Sequence, residues 1–250
     1  MALILRELEE EYATLLREFI LGKEAEVKRS LDLFHRGRVE VKALTDSNML
    51  VNLTAILSPL ALYAAIKVLV GQVITKAVES VEVDLNVNLP DFNPVFRERA
   101  ANHNFELVKG MTDDLAENLR ETLLEGWQNG EGIAQLKKRV GTVWDNGNLT
   151  SARAESIART ETNRLFNESR LQVGKDSGIS LLKVWDAHHD SRTGSDSKAL
   201  EKRYLHNPIL LDSDFYDEVN DQYINSPPNR PNCRCRVGLV RGGEVVSSED

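Results

Sequence analysis

The sequence predicts an α+β fold: a helical N-terminal region followed by a compact α+β domain with a small sheet. Three observations predict it. Ile4, Leu8, Tyr12, Leu15, Leu16, Phe19 and Ile20 fall on one helical face near the N-terminus, with Glu7, Glu9, Glu10, Glu11, Arg17 and Glu18 mostly elsewhere. A long helix opens at Thr150 or Ser151 and runs to Val173 before Gly174. Beyond it the pattern turns strand-like, at Leu181–Trp185 and again at Cys233–Val240.

In chain order, the first amphipathic helix is followed by a shorter one that ends near Arg36-Gly37-Arg38. An uncharged stretch from Ser47 to Ile66 comes next. It carries Asn48, Asn52, Thr54, Ser58 and Pro59, too much polarity for the roughly 20 apolar residues of a membrane span. A buried or partner-docked helix is expected, with Pro59 in its first turn. Val81, Val83, Leu85, Val87 and Leu89 then alternate with Glu82, Asp84, Asn86 and Asn88, which predicts a strand stopped by Pro90 and Pro94. Phe96–Val108 reads as a helix, and Thr112 with Asp113 and Asp114 as the capped start of another that carries Leu115, Leu119, Leu123 and Trp127. Gly132–Trp144 is a further helix, and Asn146-Gly147-Asn148 a turn. A short helix is expected near Asp214–Gln222. These readings divide the chain into a helical region over 1–94, a domain over 95–246 and a frayed tail over 247–250.

Composition sets limits. The 250 residues are 41% hydrophobic and 28% charged, enough for a real core, and the net charge of −8 excludes a general basic field for nucleic acid. Charge is uneven, however. No acidic residue lies between Gln222 and Gly243, where Arg230, Arg234, Arg236 and Arg241 fall, so these arginines are candidates for contact with nucleic acid or a partner. The N-terminus turns acidic at once, unlike a secretory signal. Cys233 and Cys235 are the only cysteines, expected not to bridge to each other, and no disulfide framework is implied.

The helix from Ser151 holds an informative conflict. Its apolar stripe runs through Ala154, Ile157, Ala158 and Leu165, and Glu161 completes it. A carboxylate on an apolar face needs a partner. Arg159 and Arg164 are near in sequence; Arg192, Arg234 and Arg236 come from later segments. We expect one of the later arginines to take Glu161 and fasten the helix to the C-terminal strands. Asp190 and Arg192 are assigned to turn structure, and Trp185 to the strand it sits on. His188-His189-Asp190 suggests a metal-dependent nuclease as an alternative, but adjacent histidines on a strand face opposite sides.

The run Arg153-Ala154-Glu155-Ser156-Ile157-Ala158-Arg159-Thr160-Glu161-Thr162, with Asn167 after it, resembles the opening helix of the phage Mu protein F-like family of minor head proteins. Trp185, Asp190-Ser191-Arg192-Thr193, Phe215 and Pro227-Pro228-Asn229-Arg230-Pro231-Asn232-Cys233-Arg234-Cys235 follow in the family's order, so the resemblance spans roughly the last 125 to 140 residues. It implies a structural virion protein rather than an enzyme: a component of the phage head that acts in head morphogenesis at or near the portal and in DNA retention or delivery. Expected partners are portal protein, major capsid protein or both, and packaged double-stranded DNA. No membrane and no small-molecule substrate are expected, and no cofactor. Residues 1–94 are where docking to portal or capsid is expected. Many family members carry Cys-x-x-Cys or His after the Arg-Thr turn and His before the last motif, which suggests zinc. Here those places hold Gly194-Ser195-Asp196-Ser197 and Arg230, leaving Cys233, Cys235 and His206 as remaining metal candidates; the expectation is no metal. A toxin-like enzyme and a plain DNA-binding module are the competing readings.

Overall fold

A computed structural model describes residues 2–35, 53–89, 93–146 and 151–242. Expectations for Arg36-Gly37-Arg38, for the first part of Ser47–Ile66, for Gly147-Asn148 and for the 247–250 tail lie outside those residues. The fold is α+β, as the sequence predicts. Five long helices come first: α1 (Ala2–His35), α2 (Tyr63–Leu85), α3 (Pro94–Gln128), α4 (Ile133–Asn146) and α5 (Ser151–Asp176). Then follow β1 (Leu181–Asp186), α6 (Ser195–Tyr204), β2 (Ile209–Leu210), β3 (Phe215–Asp217), β4 (Gln222–Ile224) and β5 (Arg236–Arg241). A 3-10 turn, Pro59–Leu62, precedes α2, with Pro59 in its first turn where a missing amide hydrogen costs nothing.

Two compact units emerge, each discontinuous in sequence and not coincident with a division at 94/95: Met1–Glu10, Val68–Ala100 and Ser156–Asp250 in one, Glu11–Lys67 and Ala101–Glu155 in the other. The second unit is helical. Leu16, Ile20 and Val27 of α1 are buried, as are Leu115, Leu119 and Leu123 of α3 and Leu136, Val140 and Trp144 of α4, at four- or seven-residue spacing. The Trp144 indole donates to the Ile20 carbonyl at 3.1 Å, so a large apolar ring is buried with its one donor satisfied. Gly126 lets α4 approach α3 closely: a Cβ there would stand 2.7 Å from Leu136 Cδ2.

The first unit carries the sheet. β1 lies between β2 and β5, antiparallel to both, with Lys183 opposite Ile209 and Trp185 opposite Val237. β3 and β4 form a separate two-stranded ribbon. Trp185 is fully buried and meets Phe215 edge-on at 5.3 Å; Tyr204 of α6 meets the same ring at 5.0 Å. Around them pack Val81, Leu171, Leu200, Val237 and Leu239.

Four sequence expectations are corrected. Residues 81–85 are the end of α2, not a strand, and no strand forms through 89. Val81 and Leu85 are one helical turn apart and continue the buried row Val70, Ile74, Ala77, whereas Val83 is 74% exposed. Positions 81 and 85 satisfy both periods, and the helix already running from Tyr63 decides between them. It stops where Asn86 adopts a left-handed φ of 49°. Secondly, α3 is continuous through Thr112, whose hydroxyl donates to Lys109 O at 2.8 Å inside the helix. The start of α3 is capped instead by Asn93, which accepts the Val95 amide at 2.9 Å just before Pro94. Thirdly, residues 214–222 are strands with a turn, because the Asp217 carboxylate collects the Val219 and Asn220 amides and the Asn220 and Gln222 side chains. Finally, the stretch between Trp185 and Asp214, where the sequence pattern predicts no helix, contains α6, whose buried Ser197, Leu200 and Tyr204 give it a short apolar face.

The helical reading of 81–85 has a direct test. Val83→Glu is expected to change unfolding stability by no more than about 0.5 kcal/mol, and Leu85→Ala to cost about 2–5 kcal/mol. Urea denaturation of the two variants checks this, since a strand with 81, 83 and 85 on one face would suffer from both.

Candidate functional site

β5 is an edge strand, so one row of its backbone groups has no neighbouring strand. That row begins before the strand, at Cys233 and Cys235, and continues to Val237. Side chains from α5 satisfy it. Asn163 Nδ2 donates to Cys233 O at 2.9 Å and to Cys235 O at 3.2 Å. Asn167 Nδ2 donates to Cys235 O at 3.1 Å, and its Oδ1 accepts the Val237 amide at 2.7 Å. Arg170 Nε donates to Val237 O at 2.9 Å. Spacings match: four helical residues rise about 6.0 Å and two strand residues about 6.6 Å. Positions i, i+4 and i+7 of the helix therefore meet alternate residues of the chain beside it.

All three of these side chains are buried, Asn167 and Arg170 completely. Asn167 Nδ2 also donates to Asn163 O at 2.9 Å, which fixes its amide orientation. The rest of the Arg170 guanidinium bonds Ser80 Oγ and, at 2.6 Å, Asp84 Oδ2, both on α2. Its charge is thus paired and its donors are used, the conditions under which burial of an arginine is tolerated.

Upstream of Cys233 the helix holds the preceding turn. Asn232, with a left-handed φ of 61°, donates its amide to Thr160 Oγ1 at 3.0 Å and its side-chain nitrogen to Ser156 Oγ at 2.8 Å. Arg159 donates to Asn232 Oδ1 at 2.9 Å and pairs with Glu9 at 3.4 Å. Glu161, expected to reach a later arginine, accepts from Arg164 Nε at 2.8 Å on its own helix. Further along the helix, Asn163, Asn167 and Arg170 fasten it to the closing strand. The signal was present in the sequence as three polar residues at helical spacing beside buried Phe166 and Leu171.

The Asp190 turn joins the same site. Asp190 Oδ1 accepts the Arg192 amide at 2.9 Å, and Thr193 bonds back to His188 O, an Asp-initiated turn as expected. Asp190 Oδ2 takes the Arg234 guanidinium. This hydrogen bond, more than any other contact, lowers the Asp190 carboxyl from 3.8 to about 2. The Arg192 guanidinium stays exposed, 3.7 Å from the same carboxylate.

The remaining arginines also meet acceptors of this chain. Arg230 pairs with Asp196 at 3.0 Å, and Arg236 with Asp186 at 2.9 Å and Asp84 at 3.4 Å. Arg241 donates to the neutral Leu85 carbonyl at 3.1 Å. His189 bonds Glu201 at 2.9 Å, and His188 lies 3.8 Å from Asp190, so the two imidazoles address different carboxylates.

Cys233 and Cys235 are both free thiols in this fold. Residues two apart on an extended chain face the same side, and both thiols lie buried in one core, with the Cys235 amide 3.4 Å from Cys233 Sγ. His206 is exposed beyond α6. The carboxylate near the thiols, Asp196, is held by Arg230 and Asn229. Among the described residues no group of three or more His, Cys, Asp or Glu could hold a metal ion, so the zinc of the family resemblance does not fit this donor set.

The segment containing these contacts has a match. Residues 117–238 match the family model described as Phage Mu protein F like protein. This part of the chain is similar to that family, in support of the resemblance carried by its sequence motifs. Nothing among curated proteins and nothing among solved structures matches the chain. The matched segment contains α5, the Asp190 turn and residues 227–235, three of the sequence motifs that carry the resemblance, and these parts bind one another here. The match points to a family of phage head morphogenesis proteins that is structural.

Three outcomes are expected. Asn167→Leu strands the Val237 amide and weakens the Cys235 carbonyl, costing about 2–4 kcal/mol at roughly 1–3 kcal/mol per orphaned group. Glu161→Gln keeps an acceptor for Arg164 and should cost less than half as much in the same urea titration. For Asp190 the folded value is depressed, so its contribution is full above 3.8 and lost as pH falls to about 2. Melting temperatures of wild type and Asp190→Asn should therefore converge across that window; parallel curves would count against the pairing.

Proposed function

We propose that this chain is a minor head protein of a tailed bacteriophage, a structural component of the virion that acts in head morphogenesis at or near the portal and in DNA retention or delivery. The observation that carries the reading is the Mu F-like match over 117–238, and the side chains that lock α5 to the closing strand lie within it. Their donors and acceptors are spent on each other. Such a locked unit suits a rigid building block, and the family's structural character supports a role without catalysis.

Portal protein and major capsid protein are the partners proposed, with residues 1–94 as the docking part. No described helix is long and apolar enough to cross a membrane, in keeping with a partner that is protein. For double-stranded DNA, the arginines Arg230, Arg234 and Arg236 are offset by aspartates of the same chain. Arg241 bonds a neutral carbonyl and is, of these four, the residue best able to reach a phosphate.

Chemical cross-linking of purified procapsids and virions, read by mass spectrometry, tests the proposal. Cross-links from residues 1–94 to portal or major capsid protein are expected, with the chain retained in the finished virion. Absence of the chain from both particles would overturn it.

A further inference from the structure

The Asp190 turn and α6 build one surface. Thr193 ties the turn back to His188 O, and Gly194 leads directly into α6. Glu201 accepts the Ala187 amide at 3.0 Å and bonds His189 Nε2 at 2.9 Å, which holds α6 against the chain that leaves β1. Asp196 pairs with Arg230 at 3.0 Å, and Asp190 with Arg234. Asp190, Asp196 and Glu201 are the acids of residues 187–207, and each is spent within the surface. Five cations, Arg192, Lys198, Lys202, Arg230 and Arg234, lie among them, two more than the carboxylates on a chain whose net charge is −8. Arg203, on the flank of α6, is matched by Glu218 at 3.7 Å.

The excess charge points outward. Arg192 is 72% exposed. Lys198 and Lys202 are exposed one helical turn apart, away from the buried Leu200 and Tyr204. Among the described residues neither lysine meets a carboxylate. Lys202 in the last turn is favoured by the helix dipole, whereas Lys198 in the N-terminal half is not. No large apolar side chain between 188 and 206 is exposed. Protein interfaces rely on aromatic and aliphatic anchors and are depleted in lysine, while phosphate backbones are met by lysine and arginine.

We propose that this face binds the phosphate backbone of double-stranded DNA through Arg192, Lys198 and Lys202. The inference rests on the reading of the chain as a head protein that meets packaged DNA, and adds a surface for that contact. Backbone contacts fix position without reading bases, which suits DNA of any sequence.

Fluorescence anisotropy of a short labelled duplex of arbitrary sequence, titrated with the purified full chain at several salt concentrations, tests the surface. Binding is expected, with its logarithm falling linearly as the logarithm of salt rises. Each of Arg192→Gln, Lys198→Gln and Lys202→Gln should lower that slope by about 0.9, and the triple variant by about 2–3. All three positions are exposed, so the variants are expected to keep the wild-type urea midpoint. Absence of binding by the wild type, an unchanged slope in the triple variant, or a loss that falls on Arg241→Gln alone would overturn the proposal. Displacement of the duplex by poly-glutamate at equal charge would also overturn it, and assign the face to an acidic protein. Placement in the head is read separately, from the presence of the chain in virions, so a negative titration removes this surface without removing that reading.

Discussion

The unpaired edge of β5 is the constraint on which the C-terminal half depends. A strand edge buried against a helix leaves amide and carbonyl groups that neither water nor another strand can serve, and each such group costs about 1–3 kcal/mol if unmet. α5 meets them with Asn163, Asn167 and Arg170. An asparagine is apt because one side chain both donates and accepts, and Asn167 does so to the residues on either side of Arg236. An arginine completes the row and carries the lock on to Ser80 and Asp84 of α2. Three side chains thus do the work of a missing strand, and hold the sheet in one register.

Charge follows from the same arrangement. The segment from Gln222 to Gly243 is rich in arginine and lacks acid, which in the sequence looks like a cationic arm. In the fold, Asp84, Asp186, Asp190 and Asp196 arrive from other elements and meet it. Exposed pairs of this kind contribute little stability each. Their larger effect is on the field: a stretch that would attract phosphate is mostly offset within the chain. Arg241, bonded to a backbone carbonyl, stands apart from that pattern.

The amphipathic faces of α1 and α4, the strand at Leu181–Trp185 and the long helix from Ser151 were legible in their periods, but the two helices read before Arg36 are one continuous helix, Ala2–His35. Val81–Leu89 was not, because its alternation fits a helix at 81 and 85 and only the chain before it settles which period wins. The turn at Asp217 was hidden for a different reason: its four hydrogen bonds come from one carboxylate whose partners are spread over the next five residues. At the site, the polar anomaly on α5 was visible in Glu161, but the partner was assigned by charge. Neutral asparagines were passed over, although a strand edge asks for donors and acceptors and not for a counter-ion. The shared face of Cys233 and Cys235 follows from their two-residue spacing alone.

Amide hydrogen exchange at Val237 tests the edge closure most directly. If Asn167 seals the edge, the Val237 amide exchanges only through global unfolding, with the same free energy as urea denaturation reports. Exchange at the rate of an open strand edge, under conditions where the Trp185 core stays folded, would contradict the account.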